Sequence, residues 1–132
     1  MFTPTGSFGG FSVRDVDEAY AFYTEKLGLT VDKNDMGILD ISLPGGGVVI
    51  AYPKGDDHVP ASFTILNFEV ADIDEAVDAL NERGIVTKIY DEDSEVPWTD
   101  EKGIGRGKAN NSGPDIAWFK DPSGNILSVI CG

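Results

Sequence analysis

The chain has 132 residues, 41% of them hydrophobic, which suits the core of one compact domain, and no apolar run long enough to span a bilayer. Its 23 acidic residues against 10 basic ones give a formal charge of −13. That balance excludes the basic face that nucleic acid or an anionic membrane requires, and it would attract a cationic small molecule. Cys131 is the single cysteine, so no internal disulfide is expected. Residues 1–6 lack the basic start and apolar stretch of a secretory signal, and a cytoplasmic location is expected.

In chain order, Ser7 to Val13 reads as a strand of mixed character. Asp15 follows as the N-cap of a helix, with Glu18 three residues on in a capping-box arrangement. Val16, Ala19, Tyr20, Phe22, Tyr23 and Leu27 give that helix a broad apolar face, and Gly28 stands where a left-handed glycine ends it. Strands are expected near Leu29 to Asp32, Ile38 to Leu43 and Val48 to Tyr52. The turn Pro44-Gly45-Gly46-Gly47 joins the last two.

The pattern then repeats. Phe11-Ser12-Val13-Arg14-Asp15-Val16-Asp17-Glu18-Ala19 returns as Phe68-Glu69-Val70-Ala71-Asp72-Ile73-Asp74-Glu75-Ala76, identical at six of nine positions. Ile65 to Val70 alternates as a strand, Asp72 caps a helix carrying Ile73, Ala76, Val77 and Leu80, and Gly84 ends it. Strands are expected near Val86 to Tyr90, Asp115 to Lys120 and Ile126 to Ile130, with Asp121-Pro122-Ser123-Gly124-Asn125 as the matching turn. Each half is thus β-α-β-β-β. Module one covers residues 1–56 and module two 63–132, with a linker at about 53–62. The long polar segment Asp91 to Pro114 breaks the symmetry, and a segment of that length is often functional or mobile. Trp98, its only large aromatic residue, either pins it to the body or meets a ligand. Gly103-Ile104-Gly105-Arg106-Gly107-Lys108 is glycine-rich and basic but lacks the strand-loop-helix setting of a phosphate loop. It reads as a mobile loop with Arg106 or Lys108 paired to nearby acids.

Three stretches together resemble the vicinal-oxygen-chelate superfamily, which joins glyoxalases, bleomycin-resistance proteins and dioxygenases. They are Val13 to Ala19 running through Phe22-Tyr23 to Leu27-Gly28, Phe68 to Ala76 running to Gly84, and Phe119-Lys120-Asp121-Pro122-Ser123-Gly124-Asn125-Ile126-Leu127. The resemblance implies an α+β fold of two βαβββ modules. Their curved mixed sheets enclose a cavity, the helices lie outside, and the assembly is a homodimer. By strand alternation Leu66, Phe68 and Val70 would lie under the helix, and Ile65, Asn67 and Glu69 toward the cavity.

Metal-dependent members of that superfamily hold one divalent ion with two histidines and two glutamates from the opening and closing strands of both modules. Counting from Asp15, Asp72, Gly47 and Gly124, the four matching positions are Phe8, Ile65, Ala51 and Ser128. Phe, Ile and Ala have no lone pair to offer, and a neutral serine hydroxyl is a poor ligand for Zn, Ni, Fe or Mn. No metal or other cofactor is therefore expected. His58, the only histidine, sits beside Asp56 and Asp57 and reads as a surface residue; penultimate Cys131 reads as a spare thiol.

The expected ligand site is a mostly apolar cleft built from Phe8, Ala51, Ile65 and the tryptophans Trp98 and Trp118, with Asn67 and Ser128 as polar groups. Three functions fit. The first is a metal-free binding protein resembling the bleomycin-resistance branch, an antibiotic-resistance device that sequesters a cationic or aromatic compound. The second is a glyoxalase-like lyase or isomerase, or a dioxygenase-related enzyme, with a non-standard site and Glu69, Glu95 or Asp115 as general base. The third is a structural dimer whose cavity has filled with core.

Overall fold

In the computed structural model, which describes residues 1–94 and 96–132, the chain divides into two units, Met1–Pro60 and Ala61–Gly132. Each is a helix packed on a four-stranded mixed sheet, and each has the order β-α-β-β-β.

The first unit runs β1 (Gly9–Val13), α1 (Val16–Ala21), β2 (Thr30–Lys33), β3 (Leu39–Ser42) and β4 (Val48–Pro53). The sheet order is β1-β4-β3-β2, with β1 parallel to β4 and the rest antiparallel. Asp15 has an extended backbone and accepts the N–H groups of Asp17 and Glu18 at 2.8 and 3.1 Å, so it is the N-cap its position implies. The Glu18 carboxylate is bound to Arg14 at 2.6 Å.

The helix does not continue as α. Residues Phe22–Lys26 form a π turn, with the Leu27 N–H bonded to the Phe22 carbonyl at 3.1 Å. That wider turn buries the adjacent aromatics Phe22 and Tyr23 together, their rings edge to face at 5.2 Å. Tyr20, expected on the apolar face, is exposed. Gly28 ends the element at φ +70°.

The Tyr23 ring lies 5.9 Å from Phe11, which identifies the face of the sheet that the helix covers. Register carries that face across the strands: Phe11 opposite Ala51, Ala51 opposite Leu39, Ile41 opposite Val49 and Val31. All of them are buried. Gly10, Ser12, Ile50 and Tyr52 belong to the other face.

The second unit runs β5 (Thr64–Glu69), α2 (Ile73–Glu82), β6 (Ile104–Arg106), β7 (Asp115–Lys120) and β8 (Ile126–Cys131), with sheet order β5-β8-β7-β6. Asp72 caps α2 by accepting the Glu75 N–H at 3.1 Å, and Ile73, Val77 and Leu80 make its buried stripe. Ala117, Phe119, Leu127 and Val129 are the buried residues of the sheet face beneath it. Cys131 is on the same face; its thiol donates to the Ala71 carbonyl beside the start of α2. It is buried and accepts a hydrogen bond from Lys108 Nζ at 3.1 Å, so it is no spare terminal thiol. That bond pushes the Lys108 ammonium above its usual pKa.

One predicted strand is displaced. Val86 to Tyr90 has the β-branched composition of a strand, yet it pairs with no strand of the sheet; the place beside β7 belongs to β6, from inside the long polar segment. Side chains hold the displaced stretch instead. Thr87 Oγ1 donates to the Lys102 carbonyl at 2.8 Å, and Lys88 Nζ to Thr99 Oγ1 at 2.6 Å.

The glycine-rich run is part of this packing and not a free loop. A Cβ on Gly103 would fall 2.0 Å from the Thr87 carbonyl oxygen, and one on Gly107 2.3 Å from that of Pro114. Arg106 and Lys102 fasten the run to α2. Arg106 binds both oxygens of Asp74, at 2.9 and 2.8 Å, and reaches Asp100 through Nε at 3.1 Å. Lys102 binds Asp74 and Asp78 at 3.2 and 2.7 Å.

Candidate functional site

The candidate site lies on the face of the second sheet turned away from α2. One rung across it holds Asn67 on β5, Ser128 on β8 and Trp118 on β7. Ser128 Oγ donates to Asn67 Oδ1 at 2.5 Å, so the two polar groups satisfy each other. A bulge in β5 lies between Thr64 and Leu66, with Ile65 as the extra residue. Because of it Thr64, not Ile65, shares the face of Trp118 and accepts its indole Nε1–H at 3.1 Å.

Trp118 is fixed from two more sides. The Tyr90 ring meets it edge to face at 5.3 Å, and the Trp98 ring at 5.9 Å with the planes crossed at 68°. Trp98 belongs to the long segment and lies against Gly105 of β6. It nevertheless stays 59% exposed. The two indoles, with Val96, Pro114, Ile116 and Asn110, line a cleft of about 560 Å³. That is within the range of about 300–1,000 Å³ usual for small-molecule sites, and the lining has the usual excess of apolar over polar groups.

The cleft contains no free charge from its one basic lining residue. The guanidinium of Arg106 is held by Asp74 and Asp100, and those hydrogen bonds raise its pKa and hold the Asp74 carboxyl far below the usual carboxylate range. With Lys102 and Asp78 included, two cations meet three carboxylates, so the fastening is net negative.

The residues expected at the site are distributed as follows. Trp98 and Trp118 come together in the cleft, and Asn67 and Ser128 form the adjoining polar pair. Phe8 precedes β1 and is 70% exposed. Ala51 is fully buried on the α1 face opposite Phe11, a correction to the assignment that put it in a cavity. The reason is that Gly47 and Gly124 are not equivalent: Ser42 pairs with Val48 and Lys120 with Ile126, so Gly47 corresponds to Asn125. Phe11 pairs with Ala51 and its repeat mate Phe68 pairs with Val129, so Ile50 corresponds to Ser128.

Of the carboxylates expected as general bases, Asp115 lies on the Cys131 side of the sheet and accepts the Lys108 N–H, away from Trp118. Glu69 is exposed, and Glu95 lies outside the described residues. His58 is half-buried, with Nδ1 2.8 Å from Ser12 Oγ, and so is not the plain surface residue its polar neighbours suggested. Tyr90, Gly105, Ile116 and Thr64 were missed. Ile116 follows from Trp118 by strand alternation, but Thr64 does not, because the bulge is invisible to that alternation.

The donor set does not fit the divalent ion of metal-dependent relatives. Ala51 is buried under the helix without a donor atom, Phe8 and Ile65 have none, and the Ser128 hydroxyl proton is given to Asn67. Among the described residues no three His, Cys, Asp or Glu side chains gather as a metal cluster would.

Comparison with known proteins agrees with this architecture. The family model of the Glyoxalase/Bleomycin resistance protein/Dioxygenase superfamily matches residues 8–129, and the chain belongs to that superfamily. None of the curated proteins compared with the chain matches it. Among solved structures, a superfamily member from Sphaerobacter thermophilus has 24% identity and a TM-score of 0.67, with 98% of each chain covered. TnmS3, an antibiotic binding protein from Streptomyces sp., has 21% identity and a TM-score of 0.64, covering 99% of this chain and 98% of its own. A lactoylglutathione lyase from Agrobacterium tumefaciens has 18% identity and a TM-score of 0.63, covering 98% of this chain and 96% of its own. Likeness at these identities defines the fold. Among the described residues no helix is long and apolar enough to cross a membrane.

Proposed function

We propose that this chain is a small-molecule-binding protein that takes up a flat aromatic, preferably cationic, compound in the cleft of its second unit, and that it does so as a cytoplasmic homodimer. The observation that carries the reading is the pair of crossed indoles, Trp98 and Trp118, beside an open apolar cleft of about 560 Å³. Aromatic faces bind planar rings by stacking and attract cations through the ring quadrupole. The acidic excess of the chain acts in the same direction. An antibiotic binding protein on the same fold gives this kind of role a precedent. The exposed Phe8 and Met36 of the first unit are apolar surface that a second copy could cover.

The test is native mass spectrometry of the purified protein with and without proflavine, a planar tricyclic cation. The expected spectrum shows a dimer binding one proflavine per chain, and Trp98→Ala weakens uptake by about tenfold. Uptake that is absent, or indifferent to Trp98→Ala, would sink the binding reading. A monomer that still binds would remove only the dimer.

A further inference from the structure

We infer that Gly105 is the positioning residue of this cleft: its missing side chain lets the edge of the Trp98 indole seat against β6, and this seating sets the ring's face toward the cleft and selects planar fused-ring ligands over branched ones. The inference rests on the binding reading above and assigns the specificity of that site to a residue that itself touches no ligand.

The argument begins with a glycine that the backbone does not require. Gly105 is the middle residue of β6, paired with Ile116 in the ladder, and its φ is not in the left-handed region that favours glycine. Glycine within a strand weakens it, through lost packing and greater backbone entropy, unless something must approach closely. Here the approaching group is identifiable. A Cβ at 105 would fall 2.1 Å from Cζ3 of Trp98, 2.8 Å from Cε3 and 3.2 Å from Cη2. Those three atoms are consecutive on the rim of the six-membered ring, with Cζ3 nearest and its two neighbours farther away, so the indole meets the strand edge-on at the glycine. No side-chain rotation relieves that overlap while the ring keeps its packing against Trp118.

The ring is otherwise largely open, since Trp98 keeps 59% of its exposure despite this seat. An aromatic ring held by its edge, with a face presented to a cleft, is a stacking platform. The crossed Trp118, tethered to Thr64 and Tyr90, sets the wall beside it. A flat ring system satisfies both surfaces, stacking on one and meeting the other edge-on. A branched aliphatic ligand would hold the platform at a distance and lose most of that contact.

The neighbouring residue keeps the seat in place. Arg106 leaves β6 on the opposite side of the sheet and binds both oxygens of Asp74 on α2. The strand that receives the edge of Trp98 is therefore fastened from the opposite side of the sheet.

The experiment is a double-mutant cycle of Gly105→Ala and Trp98→Ala, read in three ways. Thermal stability reports the steric conflict. The far-ultraviolet circular-dichroism couplet of two close, crossed indoles reports the seating without any ligand. Titration with proflavine, and with adamantyl-ammonium as a compact branched cation, reports the specificity. The expected result is that Gly105→Ala lowers stability and abolishes the couplet in the wild-type background, but is nearly neutral for stability beside Trp98→Ala, where the methyl group has room. The same single substitution weakens proflavine by about five- to tenfold and leaves the weak adamantyl-ammonium binding unchanged, so the preference between them narrows.

If Gly105→Ala keeps the couplet, or loses it with no change in proflavine affinity, the inference is overturned. Equal destabilisation by Gly105→Ala with and without Trp98 also overturns it, since the conflict would then be with something else. A wild-type protein that shows the couplet but takes up neither cation overturns the binding reading and the selection built on it, while the stability cycle still decides the seating on its own.

Discussion

At the scale of single residues, the indole N–H of Trp118 decides whether the cleft has a fixed wall. Its hydrogen bond to Thr64 is the one polar restraint on a half-buried ring that otherwise rests on Tyr90 and Trp98. Thr64→Val keeps the shape of the side chain and removes the acceptor. Stability should fall by about 1 kcal/mol, the usual net worth of such a bond, as read from the urea midpoint. Tryptophan emission should also change, because Nε1 must find water. Unchanged values for both would mean that Trp118 is held by ring packing alone. The importance of Trp118 was legible in the sequence as an aromatic residue in an alternating strand. Its acceptor was not, because alternation across Ile65 to Val70 gives no sign of the bulge that brings Thr64 to the cleft face. The same kind of slip moved Ala51 to the wrong side of its strand: the two hairpins are equally long, but Gly47 is the last residue of its turn and Gly124 the last but one, so counting from them shifts the register by one residue and inverts every face.

At the scale of elements, the caps and the sheets follow closely from local chemistry. Asp15 and Asp72 cap, Gly28 and Gly84 stop, and six of the eight observed strands coincide with predicted ones to within a residue. What local chemistry does not determine is which stretch of module two fills the edge of the sheet. Val86 to Tyr90 has the better strand composition, but Ile104–Arg106 can bring glycines on both sides into close packing, and an ionic fastening to α2 holds it there. Asp74 is the centre of that fastening. Its carboxyl is held below the usual range first by the hydrogen bond from Arg106 and then by that from Lys102. A carboxylate whose folded pKa is depressed contributes stability that is fully present above the unfolded pKa, near 4, and is lost as the pH falls from there toward the folded value. Asp74→Asn should therefore be less stable than the wild type at neutral pH. The difference in urea midpoint should stay flat between pH 7 and 5 and close below about pH 4. A difference independent of pH would place the effect in the hydrogen bonds alone.

At the scale of the whole molecule, charge separates the binding reading from a merely sticky apolar cleft. The net charge of −13 already counts the ten basic residues, of which Arg14, Lys33, Lys102 and Arg106 lie in ion pairs. An incoming cation therefore meets an attractive field long before it meets the tryptophans, and an anion of the same shape meets a repulsive one. Such a field acts on encounter more than on residence, because the lining of the cleft itself is mostly apolar. It is also screened by salt, as the Debye length shrinks from about 10 Å at 0.1 M to about 3 Å at 1 M. The association rate of proflavine, followed by stopped-flow quenching of tryptophan emission, should fall by about tenfold over that range. Its dissociation rate should change little, since stacking on Trp98 is a short-range contact. Anthraquinone-2-sulfonate, planar but anionic, should show the opposite salt trend and bind more weakly at low salt. If both compounds associate at the same rate and neither responds to salt, the acidic surface serves solubility alone, and the cleft selects its ligand by the flatness of the ring and not by its charge.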